Sequence, residues 1–200
     1  MQSRLLYALC AIVAISGLFS SVRGEEPKKA AITTGNPTVL MKTSGGDIEL
    51  ELFESETPNT VANFVQLAEK KFYDGLVFHR IIKNFMIQGG DPQGNGTGGP
   101  GYSFPDEFPP QGHACDQYVI AMANSGRNTN GSQFFIITAA GGTPHLNGKH
   151  TAFGKVTKGT EVVDKLGNSP TARGDRPNPE VKIISVTVLS KRDHPYEVKN

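Results

Sequence analysis

The chain has 200 residues, with 20 Lys and Arg against 19 Asp and Glu and a net charge of +1. That length suits one domain with a real core, and the near-neutral balance leaves no footprint for nucleic acid or an anionic membrane surface. Frequent glycine and proline (23 and 13 residues) and the absence of Trp favour a turn-rich β domain over a helical bundle.

Arg4 precedes an almost unbroken apolar run over residues 5–19, and Val22-Arg23-Gly24 closes a short polar stretch on a small residue. This pattern predicts a secretory signal peptide over residues 1–24, cut after Gly24. The run is shorter than the roughly 20 residues a spanning helix needs, so no stable membrane insertion is expected after cleavage. Cys10 lies inside the run rather than at its end, which argues against a lipoprotein site. Losing Arg4 and Arg23 from the 20 basic residues leaves 18 against 19 acids. Cys115 is then the one remaining cysteine, so no internal disulfide is expected even in an oxidising compartment. The final Tyr196-Glu197-Val198-Lys199-Asn200 is not an endoplasmic-reticulum retrieval signal.

Residues 25–36 are polar and read as a flexible lead-in. The domain is expected over 37–190, followed by a polar tail over 191–200. Residues 39–43 and 47–52 predict a hairpin across Ser44-Gly45-Gly46, with Ile48, Leu50 and Leu52 alternating against Asp47, Glu49 and Glu51. Thr57-Pro58 opens a helix, Thr57 as its cap. Val61, Phe64, Val65 and Ala68 then form one apolar stripe, and Lys70 and Lys71 fall in the last turn.

Gly94, Gly96 and Gly99 match the dinucleotide fingerprint literally. Pro100-Gly101 follows where that motif needs a helix start, so the reading is a turn-rich loop. Residues 104–112 carry three prolines, which exclude a helix or central strand. Asp106 and Glu107 there are expected to meet solvent or local backbone amides. Strands follow over 118–123 and 133–138, the second with Phe135 and Ile137 on one face and Phe134 and Ile136 on the other. Residues 146–150 turn into a strand over 151–156. A short helix over 160–166 ends at Gly167, and 181–189 is a last strand rich in β-branched residues.

The total is about eight strands and two helices, not alternating. The expected fold class is mainly β: a closed antiparallel barrel capped by two α-helices, because closure removes unpaired edges. No Gly-x-Ser-x-Gly elbow is present. His113 and Cys115 lie two apart without further ligands at zinc-site spacing, so no metal is expected and no cofactor is implied. Asn95-Gly96-Thr97 and Asn130-Gly131-Ser132 are glycosylation sequons lying in polar turns.

One stretch stands apart. Residues 78–91 read Phe-His-Arg-Ile-Ile-Lys-Asn-Phe-Met-Ile-Gln-Gly-Gly-Asp. Arg80 sits among apolar neighbours, and a guanidinium there is either solvated at a surface strand or set to work at an apolar pocket. An apolar site with one cation and several amides can bind an uncharged, extended ligand. Rotation about an Xaa–Pro bond needs nothing more: a donor aimed at the proline nitrogen favours the twisted amide, and an apolar pocket holds the ring.

This stretch resembles the central motif of the cyclophilin family. Three further blocks agree in order: residues 95–99 (Asn-Gly-Thr-Gly-Gly), Met122-Ala123-Asn124 with 130–135 (Asn-Gly-Ser-Gln-Phe-Phe), and 146–150 (Leu-Asn-Gly-Lys-His) with Phe153-Gly154-Lys155-Val156. The likeness spans about residues 37–189 and identifies the chain as a single-domain, exported member. It implies an eight-stranded barrel capped by two helices and peptidyl-prolyl cis–trans isomerase activity on proline-containing polypeptides. Arg80 would be the catalytic arginine, and Gln88 the residue orienting it and bonding substrate backbone. Phe85, Met86, Phe135 and Leu146 would wall the proline pocket. Ala123 and Asn124 would meet the preceding residues, and Gln133 and His150 would complete the rim.

Three departures stand out. His145 replaces a tryptophan frequent in the family, which implies weaker cyclosporin binding. Ser125 replaces a frequent alanine and is expected to tune the position before proline. Tyr118 replaces a frequent glycine and is expected to affect packing. The 104–112 loop resembles the shorter members found in bacteria and in some eukaryotic cyclophilins. With a signal peptide and no retrieval tail, a periplasmic or secreted monomer assisting the folding of exported proteins is expected, and a eukaryotic secretory protein is the alternative. A proline-peptide binding module with incidental activity is the alternative function.

Overall fold

The computed structural model describes residues 29–110 and 112–199. The signal peptide expected over 1–24 lies outside them. In chain order the elements are β1 (Ala31–Ile32), β2 (Thr38–Thr43), β3 (Gly46–Leu52), α1 (Pro58–Glu69), β4 (Arg80–Ile82), β5 (Met86–Gly89), β6 (Val119–Met122), β7 (Phe134–Ile137), β8 (Ala152–Lys158), α2 (Thr160–Gly167) and β9 (Ile183–Lys191), with a 3-10 turn at Pro144–Leu146.

The nine strands form one sheet in the order β1-β9-β2-β3-β8-β6-β7-β5-β4. Every pairing is antiparallel except β1 with β9. The ladder ends at β1 and β4, so the closed eight-stranded barrel expected from the sequence is corrected to a nine-stranded sheet that does not close. The reason lies at β4. Its outer edge is taken by a loop residue, with Ile81 N–H donating to the Asp175 carbonyl at 2.8 Å. The chain just before β4 reaches the other side instead: Gly75 N–H donates to Ile183 O (2.8 Å), Ile183 N–H to Leu76 O (2.7 Å) and Phe78 N–H to Val181 O (2.9 Å). These bonds bring the two sides of the sheet together without a regular ladder.

The two faces of the sheet carry separate apolar clusters. Ile48, Leu50 and Leu52 point into the larger one, as their alternation requires. So do Ile81, Ile87, Ile120, Phe134 and Ile136. The α1 stripe of Val61, Phe64, Val65 and Ala68 covers it, with the Phe64 ring 5.0 Å from Tyr73 and 5.3 Å from Phe153. Each Val, Leu, Ile or Phe among them stabilises the fold by about 1.5–3 kcal/mol on full burial. The smaller cluster holds Met86, Ala121, Phe135 and Ile137 on the opposite face.

Thr57 stands at the N-cap position of α1, but its side chain makes no cap bond. The Thr57 hydroxyl donates back to the Phe53 carbonyl (3.1 Å). The anion at the helix start is Glu107, which accepts from the backbone N–H of Asn59 (3.0 Å) and Thr60 (2.7 Å). Glu107 thus does bond to amides, though distant ones, and it brings a full charge to the positive end of the helix. Lys70 is the C-cap residue and Lys71 follows it, so the two lysines lie just past the last turn rather than in it.

Both ends of the described chain are more ordered than a lead-in and a tail suggest. Residues 31–32 add the parallel strand β1. Tyr196 is buried in the main cluster, because its hydroxyl finds a partner in the buried carboxylate of Glu54 at 2.8 Å. Among the described residues, no helix is long and apolar enough to cross a membrane.

Candidate active site

Register builds the site. Arg80 pairs across β4–β5 with Gln88, Gln88 pairs across β5–β7 with Phe135, and Phe135 pairs across β7–β6 with Ala121. Directly opposed residues share a face. A cation, an amide and an apolar wall therefore stand in one row across four strands. One residue along, Ile81, Ile87, Ile136 and Ile120 make the corresponding row on the core side. A one-residue slip anywhere would exchange these rows.

Met86 and Phe135 are buried in the outer cluster, and Phe85, Ala123 and Leu146 pack half-buried against it. The 3-10 turn supplies His145 and Leu146, and His145 stacks on Phe85 at 6.0 Å. The Phe135 ring meets His150 edge-on at 5.3 Å. His150 Nδ1 lies 2.9 Å from the Met122 carbonyl; since a carbonyl only accepts, this bond selects the tautomer with Nδ1 protonated.

The amides form a chain. Gln88 Nε2 donates to Gln133 Oε1 (3.1 Å), and Gln133 Nε2 donates to the Gly98 carbonyl (2.9 Å). Asn124 donates to the Lys149 carbonyl at 2.9 Å. Gln88, Gln133, Ala123, Asn124 and Ser125 also line a cavity of about 670 Å³ together with the glycine-rich loop. Phe85, Met86, Phe135 and Leu146 stand beside this cavity rather than lining it. Gln88 makes no hydrogen bond to Arg80 among the described residues; its amide goes to Gln133. Arg80 Nε instead donates to Asp175 Oδ2 at 3.3 Å.

The glycine-rich loop wraps a carboxylate of the chain itself. Asp91 accepts from the N–H groups of Gln93 (2.7 Å) and Asn95 (3.0 Å), and from that of Gly96. Burial pushes the Asp91 carboxyl up, but these amides and that of Gly98 outweigh it and hold it below its ordinary range. A Cβ on Gly98 would sit 2.1 Å from Asp91 Oδ1. Of the three glycines that match the fingerprint, Gly96 gives its N–H to this internal anion, and the clash falls on Gly98 beside them. His79, next to Arg80, is buried, and burial lowers its pKa against the opposing pull of Asp91.

Other candidates do not converge. His113 stacks on Phe53 (3.6 Å) and pairs with Glu56 (2.8 Å). Cys115 is buried, its thiol pushed up to about 11 by burial, so it is a poor nucleophile. Asn130 is fully buried and donates to Phe104 O and Asp106, which closes that sequon to glycosylation. Tyr118 has φ of 66°. The left-handed backbone explains why glycine suits the position, and the Tyr118 hydroxyl donates to Asp164 at 2.9 Å. Asp175 was not singled out by the sequence: it sits in a polar turn 95 residues from Arg80, and nothing in its local pattern marks it.

Residues 38–188 match the family described as cyclophilin type peptidyl-prolyl cis-trans isomerase/CLD. The chain belongs to that family. A probable peptidyl-prolyl cis-trans isomerase A of Mycobacterium leprae is 49% identical over 170 residues, covering 76% of this chain and 92% of the relative. A peptidyl-prolyl cis-trans isomerase B of Streptomyces anulatus is 51% identical over 169 residues, covering 76% and 95%. The crystal structure of a Cryptosporidium parvum cyclophilin superposes with a TM-score of 0.73 at 38% identity, over 78% of this chain and 99% of that one. The same protein was also crystallised in the presence of the dipeptide Ala-Pro, with a TM-score of 0.72. The activity of this chain is that of its family, cis–trans rotation about a prolyl peptide bond.

Proposed function

We propose that the chain turns Xaa–Pro bonds in exported polypeptides, with Arg80 as the catalytic donor. The observation that carries this is the row Arg80–Gln88–Phe135–Ala121 across four adjacent strands. Proline sits on the apolar wall of Phe85, Met86, Phe135 and Leu146. The residues before it run past Ala123 and Asn124 toward the glycine-rich loop, and Gln88, Gln133 and His150 bond the backbone at the rim.

No bond is made or broken. In the planar amide the nitrogen lone pair is delocalised into the carbonyl, and in the twisted state it is localised. A guanidinium N–H aimed at the proline nitrogen binds the twisted state better than the planar one, which is what lowers a barrier. The uncatalysed step takes roughly 10–100 s at 25 °C, and removing about 7 kcal/mol from its barrier gives roughly 10⁵-fold acceleration. A charge-assisted hydrogen bond, exclusion of water and distortion of the bound peptide share that sum.

The proposed oligomeric state is a monomer. The leader over residues 1–24 supports export to the periplasm or beyond the cell. His145 offers less surface than an indole beside Phe85, which supports weak cyclosporin binding; His145→Trp is expected to tighten it in a titration. The proposal is tested by exchange NMR on a panel of Xaa-Pro peptides. Loss of turnover in a folded Arg80→Ala protein supports it, and wild-type turnover in that protein would sink the assigned mechanism.

A further inference from the structure

We propose that Asp175 is the positioning residue of Arg80, a role that rests on the assignment of Arg80 made above. The loop between α2 and β9 folds back on β4 as a tight hairpin. Thr171 bridges Pro177, Ala172 N–H donates to the Arg176 carbonyl (2.7 Å), and Asn178 N–H donates to Pro170 O (2.9 Å). At its tip Asp175 has φ of 59°, a left-handed conformation that Asp tolerates better than most residues. Its carbonyl accepts from Ile81 N–H at 2.8 Å, and its carboxylate accepts from Arg80 Nε at 3.3 Å. Backbone and side chain of one residue thus hold two successive residues of β4. The next residue fixes the hairpin on its other side, with Arg176 Nη1 donating to the Gly94 carbonyl at 2.9 Å.

The choice of atom matters. A guanidinium has five donors in a planar fork, and fixing Nε sets the plane while leaving both terminal nitrogens available. The Arg80 side chain makes no other hydrogen bond among the described residues. A long side chain that is fixed before substrate arrives loses less conformational freedom when it meets the proline nitrogen. The side chains are 44% and 46% exposed, so the pair does little for stability. Its contribution falls on orientation.

Asp175→Gly is the informative variant, because glycine keeps the left-handed backbone and its bond to Ile81 while removing the carboxylate. Exchange NMR at several peptide concentrations should give a roughly two- to fivefold lower kcat with KM little changed, the range an exposed ion pair supports. Asp175→Asn, whose oxygen still accepts without charge, should recover part of the loss. The Arg80 Nε–H resonance should shift toward the solvent-averaged position in Asp175→Gly. In an Arg80→Ala background Asp175→Gly should change nothing further. Wild-type kcat in Asp175→Gly, or an equal loss in the Arg80→Ala background, overturns the positioning role while leaving the assignment of Arg80 intact. Wild-type turnover in Arg80→Ala overturns that assignment and this role with it.

Discussion

Asp175 and Glu54 both face an arginine, at 3.3 Å from Arg80 Nε and 3.6 Å from Arg192 Nε, but Asp175 is 46% exposed and Glu54 only 4%. Asp175 has one cation and open water beside it. Glu54 is enclosed by the last residues of the chain: Tyr196 donates its hydroxyl at 2.8 Å, His194 bonds the other oxygen, and Arg192 also reaches Ser55 at 2.8 Å. The same pairing of charges serves different ends in these settings. In water a pair can orient a side chain but adds little stability. Out of water, an unpaired carboxylate is so costly that its partners become part of the fold. If Arg80 acts as proposed, the Arg80–Asp175 pair should therefore register in turnover and the tail cluster in stability.

The largest effect should come from Arg80→Ala. Losing a charge-assisted donor at the transition state is expected to cut kcat/KM by about 10²–10³-fold, or about 3–4 kcal/mol. The melting temperature should stay within about 2 °C, since the pair it breaks is exposed. A large fall in stability would erase the contrast between the two sites.

Glu54→Ala is the converse and comes next. It leaves the Tyr196 hydroxyl and His194 Nε2 without their acceptor, removes the carboxylate facing Arg192 and frees the tail, at a cost of about 3 kcal/mol. For a domain of this size that is about 6–12 °C in melting temperature. Limited proteolysis should then clip the chain after Lys191, while turnover per folded molecule stays at the wild-type value. Reduced turnover at equal folded fraction would mean that the tail communicates with the site.

Glu107→Gln should cost less, about 1 kcal/mol, because it removes the charge at the start of α1 but keeps one acceptor for the Asn59 and Thr60 amides. Chemical denaturation measures it. Thr57→Ala, the variant a reading of the sequence would choose, should cost less than Glu107→Gln.

That last contrast marks what the sequence can carry. Strand faces were legible because period two puts alternate residues on opposite sides: Ile48, Leu50 and Leu52 face the core, and Phe134 and Ile136 separate from Phe135 and Ile137. The α1 stripe was legible for the same kind of reason. Partners were not. Glu107 caps a helix 47 residues earlier, Asp175 meets Arg80 across 95 residues, and Glu54 meets His194 across 140. Local periodicity fixes the face on which a side chain lies, whereas its polar partner depends on how loops return over the sheet. The regular ladder stops at β4 for a related reason: its outer edge is given to the loop carrying Asp175, and no propensity in three residues foretells that. The site residues proposed here were readable only through the likeness of their motifs to the cyclophilin family; register then puts Arg80, Gln88 and Phe135 in one row, and the groups supporting that row come from loops with no signature.

The smallest effect separates the two regions by pH, through two histidines whose pKa values are shifted in opposite directions. The Pro195 carbonyl and the Glu54 carboxylate raise the pKa of His194 above its ordinary value of 6.5, against an opposing Arg192. A raised pKa means that the folded state holds its proton more tightly, so this contribution is complete below pH 6.5 and fades as pH climbs through the raised value. Burial lowers the pKa of His79 beside the active-site strand. The folded state there resists protonation, so stability is lost as pH falls below 6.5 toward the lowered value. Stability should therefore peak near the ordinary histidine pKa and fall on both sides, the alkaline limb belonging to the tail and the acid limb to the active-site side. Denaturation midpoints measured from about pH 5 to about pH 9 should trace that dome. His194→Gln should flatten the alkaline limb alone. If it flattens the acid limb instead, the tail cluster is not what ties His194 to the fold.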